Sequence, residues 1–398
     1  MLPRSAPSRW DFTDPVAARA KAHGPDMTEK TETRKREHID TVLGEDVSAK
    51  GVTTGFERYF FEHVAAPELD LDDVDLSAGV LGRRLAAPFL ISSMTGGTAP
   101  ARHINRCLAE AAQDLGIAMG VGSQRAAIER PELADTYHVR DVAPDILLFA
   151  NLGAVQLNYG YGVDHARRAV EMIGADALFL HLNPLQEAVQ AGGERGWSGL
   201  LAKIENLAGA LEVPLAVKEV GHGIGPQTAR KLADCGVAAI DVAGAGGTSW
   251  SEVEAYRHPD RAAARVAHGF ADWGVPTALA LIEAVGAAPE LPIFASGGMR
   301  TGIDAAKAIR LGAALVGTAA PVLGEATLTA SAVRDHVSAL IEQLRIASFC
   351  TGSANLAALR QATLRQTSDW AAVEPLATDV SGGLGGGRLP RRQGSRRR

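Results

Sequence analysis

Phe179-Leu180-His181-Leu182-Asn183-Pro184-Leu185-Gln186-Glu187 joins a run of buried-strand residues to a cluster of polar side chains. Successive side chains of a strand alternate faces, so His181 and Asn183 point to the same side. Pro184 ends the strand, and Gln186 and Glu187 follow in the loop. In a parallel barrel this C-terminal end of a strand is where chemistry is done. Alone, the segment reads equally as an ordinary strand end and helix start. Its weight comes from the company it keeps.

Seven further short apolar runs flank it, at Phe89–Ser93, Ile117–Val121, Ile146–Ala150, Leu215–Val217, Ala239–Val242, Ile293–Ala295 and Ala314–Val316. Helix-like segments lie between them, among them Ala101–Leu115, Gln227–Cys235 and Gly302–Leu311. Continuous apolar strands alternating with helices indicate a parallel sheet covered on both faces. Eight such units in roughly 250 residues match a (β/α)8 TIM barrel. An open, doubly wound sheet is disfavoured, because no strand is followed by G-x-G-x-x-G opening a helix. The longest gap, Gly247 to Glu290, is expected to hold an extended loop plus a helix.

Around the barrel, residues 28–84 are expected to form a lead-in and arm, and 351–380 a segment packed on the catalytic domain of residues 85–350. Residues 1–27 and the Gly- then Arg-rich 381–398 read as disordered extensions; Met27 is an alternative start. A net charge of −6 and a pI near 6.0 offer no nucleic-acid footprint. No apolar run approaches the ~18–20 residues of a membrane span. Cys107, Cys235 and Cys350 are odd in number and lack metal-type spacing, which fits a reducing cytoplasm.

Every strand end is polar or glycine-rich. They read Ser92-Ser93-Met94-Thr95-Gly96-Gly97, Gly122-Ser123-Gln124-Arg125, Asn151-Leu152-Gly153, the His181 segment, Lys218-Glu219-Val220-Gly221, Gly244–Thr248, Ser296-Gly297-Gly298-Met299-Arg300 and Gly317-Thr318-Ala319-Ala320. Together they line one face of a barrel and suit a large, flat ligand. Loops after strands seven and eight form the standard phosphate site of this fold, and Arg300 adds charge. A phosphate-bearing cofactor such as FMN fits there. Lysine is scarce in this chain, and Lys218 projects into the barrel mouth, where a buried ammonium needs an anionic partner. Glu187 is a candidate Mg2+ ligand, since one carboxylate plus phosphates is how that ion is usually held. A helix-start carboxylate is the equal alternative. Arg34-Lys35-Arg36-Glu37-His38 lies outside the repeats; as an arm over the mouth it would bind a second, more anionic ligand.

These motifs resemble, in order, those of the type 2, FMN-dependent isopentenyl diphosphate isomerases. The resemblance runs from about Arg34 to beyond Pro321 and includes Val217–Gly221, Asp241–Trp250 and Asp272-Trp273-Gly274. It implies FMN contacts at Ser92, Ser93, Met94, Thr95, Ser123, Asn151, Lys218, Thr248, Gly298, Met299, Arg300, Ala319 and Ala320. It implies substrate contacts at Arg34, Lys35, Ser123, Gln124, Arg125 and Gln186, with His181, Asn183, Gln186 and Lys218 about the reacting groups and Glu187 on Mg2+. The implied reaction interconverts isopentenyl and dimethylallyl diphosphate by a 1,3-proton shift, with reduced flavin as the acid–base group and NADPH priming it. A cytoplasmic homo-oligomer, tetramer or octamer, is also implied. The rival reading is an FMN barrel oxidase of 2-hydroxy acids. That chemistry wants a histidine beside the seventh strand, whereas His268 and His336 are distant in sequence.

Overall fold

Eight short strands close into a parallel barrel in the computed structural model, which describes residues 26–371. The extensions expected at 1–27 and 381–398 lie outside the described residues, apart from Asp26 and Met27. The barrel strands are β1 (Phe89–Ile91), β2 (Ala118–Gly120), β3 (Leu148–Gly153), β4 (Ala177–His181), β5 (Leu215–Lys218), β6 (Ala239–Asp241), β7 (Ile293–Ala295) and β8 (Ala313–Thr318). They pair in chain order, and β8 closes on β1 through Val316–Phe89, Gly317–Leu90 and Thr318–Ile91. All eight coincide with the expected apolar runs. The structure has the (β/α)8 architecture read from the sequence.

Side-chain alternation then determines what faces the axis. Leu90, Ala118, Phe149, Phe179, Ala216, Ala239, Phe294 and Leu315, one from each strand, pack together as an apolar interior. Phe149 stacks on Phe179 with ring centroids 4.2 Å apart, and Phe294 meets both edge-on. Two residues further along each strand the same face bears Ser92, Gly120, Asn151, His181, Lys218, Asp241, Ser296 and Gly317. The period of two thus sets a polar and glycine ring directly on an aromatic floor. The neighbouring ladder partners His181, Lys218 and Asp241 are in register across β4, β5 and β6.

The mouth above this ring is built over by the lead-in. Helix Asp26–Gly44 packs on helices Arg125–Glu129, Trp250–Arg257 and Ala320–Ala326, spanning the C-terminal face. The far end of the chain returns to the lead-in, where strand Leu364–Gln366 pairs antiparallel with Tyr59–Phe61. The expected gap after β6 holds three helices, Trp250–Arg257, Arg261–His268 and Thr277–Ala287, rather than one. The first two are only 8 residues each, too short for a clear helical period to emerge from sequence. Among the described residues no helix is long and apolar enough to cross a membrane.

Candidate active site

A cavity of about 700 Å³ opens at the C-terminal ends of the strands. Of the expected site residues, all but Gln124 line it. Gln124 is fully buried. Its amide donates to the Ala169 carbonyl at 2.8 Å and accepts from the Asn151 N–H at 2.9 Å. Bonded to backbone on both sides, it ties the loop after β2 to β3 and to helix Val163–Ile173, and it is the one expected site residue that does not line the cavity. Gln186 and Glu187 also lie on a short helix, Pro184–Val189, not in a loop. Proline at the first helical position loses no hydrogen bond, so it starts this helix as readily as it ends the strand.

The cavity has two differently charged halves. At one end the loops after β6 and β7 approach backbone to backbone. A Cβ at Gly297 would sit 2.1 Å from the Gly244 carbonyl, and one at Gly298, which has φ +72°, would sit 2.6 Å from the Gly246 carbonyl. Only glycine permits this cradle. Thr248, Met299, Arg300, Ala319 and Ala320 lie around it. Nearby, the hydroxyls of Ser92, Ser93 and Thr318 are buried without a hydrogen-bond partner. Buried hydroxyls in native proteins are nearly always satisfied, so these three await a polar ligand. Lys218 stands beside them. Burial lowers its pKa, against which the neighbouring Asp241 and Glu219 carboxylates hold its charge. Its ammonium donates to the Glu219 carbonyl at 2.5 Å, and among the described residues no carboxylate pairs with it directly. Asp241, fully buried on the neighbouring strand, accepts the single hydrogen of the Ser296 hydroxyl, whose oxygen lies 2.8 and 2.9 Å from the two carboxylate oxygens. Serine hydroxyls, glycine cradle and lysine suit FMN: a phosphate, a polyol and a flat ring that becomes anionic on reduction.

The other half is cationic. Arg34, Lys35 and Arg125 converge there from the lead-in helix and the loop after β2. Lys35 donates to the Ser123 carbonyl at 2.7 Å and to the Tyr137 hydroxyl, and sits 5.1 Å over the Tyr137 ring. Burial, then Arg34 and Arg125, push its pKa down to about 7, with Glu129 opposing. Arg125 pairs with Glu129 at 2.8 Å and Glu194 at 2.9 Å. The Glu187 carboxylate accepts from the Glu194 N–H at 2.6 Å and from Asn183 at 3.1 Å. Burial raises its pKa. Among the described residues no group of three or more His, Cys, Asp or Glu could hold a metal. A cation at Glu187 would therefore need oxygens from the ligand, which suits Mg2+ beside a diphosphate.

Between the halves lie His181, Asn183 and Gln186. Burial, then the Lys218 and Lys35 charges, press His181 down to about 3, so the ring is neutral near pH 7. Asn151 donates to the Val121 carbonyl, which turns its oxygen to His181; Nδ1 of the ring therefore carries the hydrogen and donates at 2.9 Å. Gln186 accepts from Asn183 at 2.9 Å and donates to Glu254 at 2.9 Å.

Glu254 escaped the sequence reading. It is 2% exposed and also bonds His38 at 2.9 Å and Arg257 at 2.7 Å. The available signal was a pair of carboxylates, Glu252 and Glu254, on one helix beside Arg257, but the partners His38 and Gln186 lie far away in sequence. His336, expected to be remote, reaches the cavity rim from helix Ala330–Cys350, where it pairs with Glu325 at 3.0 Å.

The profile of the FMN-dependent dehydrogenase family matches residues 27–136 and 181–366. The chain is 63% identical to an isopentenyl-diphosphate delta-isomerase of Synechocystis sp., over 84% of this chain and 96% of that protein. It is 55% identical to one of Pseudescherichia vulneris, over 86% of this chain and 99% of the relative. A solved mandelate oxidase superposes with a TM-score of 0.59 at 21% identity, covering 85% of this chain and 99% of that one. This last likeness is one of fold.

Proposed function

The chain belongs to the type 2, FMN-dependent isopentenyl-diphosphate delta-isomerases, and from that premise we propose how it interconverts isopentenyl and dimethylallyl diphosphate. One observation carries the proposal: a single cavity joins the glycine cradle and Lys218 to the Arg34–Lys35–Arg125 cluster. One half thus suits the cofactor and the other a diphosphate. Reduced FMN, when bound, supplies the acid–base chemistry for protonating an alkene carbon and removing an allylic proton.

The side chains do the rest. Ser92, Ser93, Thr95 and Asn151 take the polar edge of the cofactor; Gly298, Met299, Arg300, Ala319 and Ala320 take its phosphate. Ser123 and Thr248 complete its contacts. Lys218 supplies positive charge on the side where the reduced ring is anionic. Arg34, Lys35 and Arg125 would neutralise the diphosphate, and Glu187 would hold Mg2+, which adds positive charge to that end of the cavity. His181, neutral, is no proton donor of useful strength at carbon; it and Asn183 orient the alkene. Gln186, held between Asn183 and Glu254, positions the reacting end. NADPH as reductant, a cytoplasmic location and a homo-oligomeric state follow from the family resemblance. The oxidase alternative rests on fold likeness alone.

The test is an isomerisation assay on purified protein. FMN should copurify, and turnover should appear only after reduction by dithionite or NADPH. Full turnover by flavin-free protein, or by oxidised holoenzyme under air, would overturn the reading.

Lys35 adds a pH dependence with a defined sign. The positive form binds the diphosphate and is lost as pH rises through about 7. Between pH 7 and 9 the substrate KM should therefore climb, by up to about tenfold per unit for a single linked proton. Lys35→Met should show a high KM that no longer changes over that range. A wild-type KM flat from pH 7 to 9 would mean that Lys35 does not meet the diphosphate.

A further inference from the structure

Asp272-Trp273-Gly274 stands outside the cavity, yet its carboxylate reaches the chain that covers the cofactor end. Asp272 Oδ1 accepts from the backbone N–H groups of Lys50 and Gly51, each at 2.6 Å, and of Val52 at 3.3 Å. These donors pull its pKa below the usual carboxylate range, Gly51 foremost. Three N–H groups on one ionised oxygen make a charge-assisted clasp.

What the clasp holds is a strap, residues 46–55, laid over the glycine loop after β6. Ser48 pairs antiparallel with Thr248; Ala49 donates to the Gly247 carbonyl at 3.0 Å, and Ser249 to the Val47 carbonyl at 2.8 Å. Thr54 lies so close that a Cβ on Gly246 would fall 2.2 Å from its nitrogen. A Cβ on Gly298 would fall 2.5 Å from its methyl group. On the opposite side the turn that carries Asp272 grips the same loop. Val275 accepts from Ala245 at 2.9 Å, and Thr277 donates to the Gly297 carbonyl at 2.7 Å. The glycine cradle thus lies between strap and turn, which are joined at Thr54 by the Ala278 N–H donating to its carbonyl at 2.9 Å and, at Lys50–Val52, by Asp272. Lys50, Gly51 and Thr53 are exposed and line a cleft of about 360 Å³ together with Arg300 and Asp304, so core packing does little to hold that part of the strap.

We propose that Asp272 is a positioning residue for cofactor binding: by fastening the strap it keeps the Gly246–Thr248 and Gly297–Gly298 backbone preformed for FMN. This rests on the assignment of that end of the cavity to FMN. If loss of the clasp leaves the strap in place only about a tenth of the time, the apparent dissociation constant for FMN rises about tenfold.

The experiment measures FMN affinity of flavin-stripped protein by quenching of flavin fluorescence, for wild type, Asp272→Ala, Asp272→Asn and Trp273→Ala. Tryptic cleavage after Lys50 is mapped by mass spectrometry in parallel. Expected are a rise of about tenfold for Asp272→Ala and a smaller one for Asp272→Asn, which keeps an oxygen but loses the charge. Cleavage after Lys50 should grow in the same order, and kcat at saturating FMN should stay at the wild-type value. Trp273, 62% exposed on the same turn, should be neutral when replaced. Wild-type FMN affinity in Asp272→Ala would overturn the proposal. So would equal losses in Trp273→Ala, which would implicate the turn at large, or loss of FMN without any opening at Lys50. Failure of the wild-type protein itself to bind FMN would instead overturn the assignment of the cavity.

Discussion

Lys218→Ala is expected to weaken FMN binding by about a hundredfold or more and to reduce turnover in proportion, because the reduced ring loses a preorganised charge in a water-poor site. The same change removes the cation nearest to Asp241, which is fully buried and whose pKa burial already raises. Without that nearby positive charge, Asp241 is left as a buried carboxylate offset only by its hydrogen bonds, which costs stability. The flavin-free variant should therefore melt at a lower temperature. Two effects arise from one side chain, and a second substitution separates them. Lys218→Met combined with Asp241→Asn removes both charges, so the melting temperature should recover while FMN affinity does not. If FMN affinity recovered with it, Lys218 would serve the barrel and not the cofactor. Unchanged affinity and rate in Lys218→Ala would place the ammonium away from the ring altogether.

Glu187→Gln should raise the Mg2+ concentration for half-maximal activity by about tenfold or more, since a hard cation prefers a carboxylate to an amide. FMN affinity should hold, because the cofactor end draws on other strands. Substrate KM at fixed Mg2+ should rise with the lost metal. Gln186→Ala makes the contrast. Among the described residues its amide bonds Asn183 and Glu254, and neither the Glu187 carboxylate nor the arginines. It should lower kcat and leave the Mg2+ titration unchanged. Burial raises the Glu187 pKa, so its protonation on acidification begins at a higher pH than for an exposed glutamate. The Mg2+ requirement should accordingly steepen as pH falls toward that range, and this rise should vanish in Glu187→Gln. A wild-type Mg2+ titration in Glu187→Gln would leave the carboxylate as a helix-start residue on the positive end of Pro184–Val189.

Eight apolar runs, the helices between them and the polar character of every strand end were legible along the chain. Those features are local. Alternation along a strand depends on neighbouring residues, so the place of His181 and Lys218 at the ends of β4 and β5 could be read directly. Glycine in the loops after β6 and β7 likewise announced a close backbone approach. The start of a helix at Pro184 was less clear, because proline serves strand end and helix start alike.

What only the tertiary structure decided are contacts between elements far apart in sequence, where no local period carries information. Gln124, in a motif with Ser123 and Arg125, turns away from the cavity because the Asn151 N–H of β3 and the Ala169 carbonyl of helix Val163–Ile173 take up its amide. Glu254 reaches Gln186 across 68 positions, and Asp272 reaches Gly51 across 221. Burial beneath elements as distant as Tyr137, 102 positions later, and then the Arg34 and Arg125 charges lower the pKa of Lys35 to about 7. The chain by itself determined which residues end the strands, since strand pattern and loop chemistry are properties of adjacent residues. Which of them meet, and how strongly their charges are desolvated, depends on barrel closure and on the lead-in folding over the mouth.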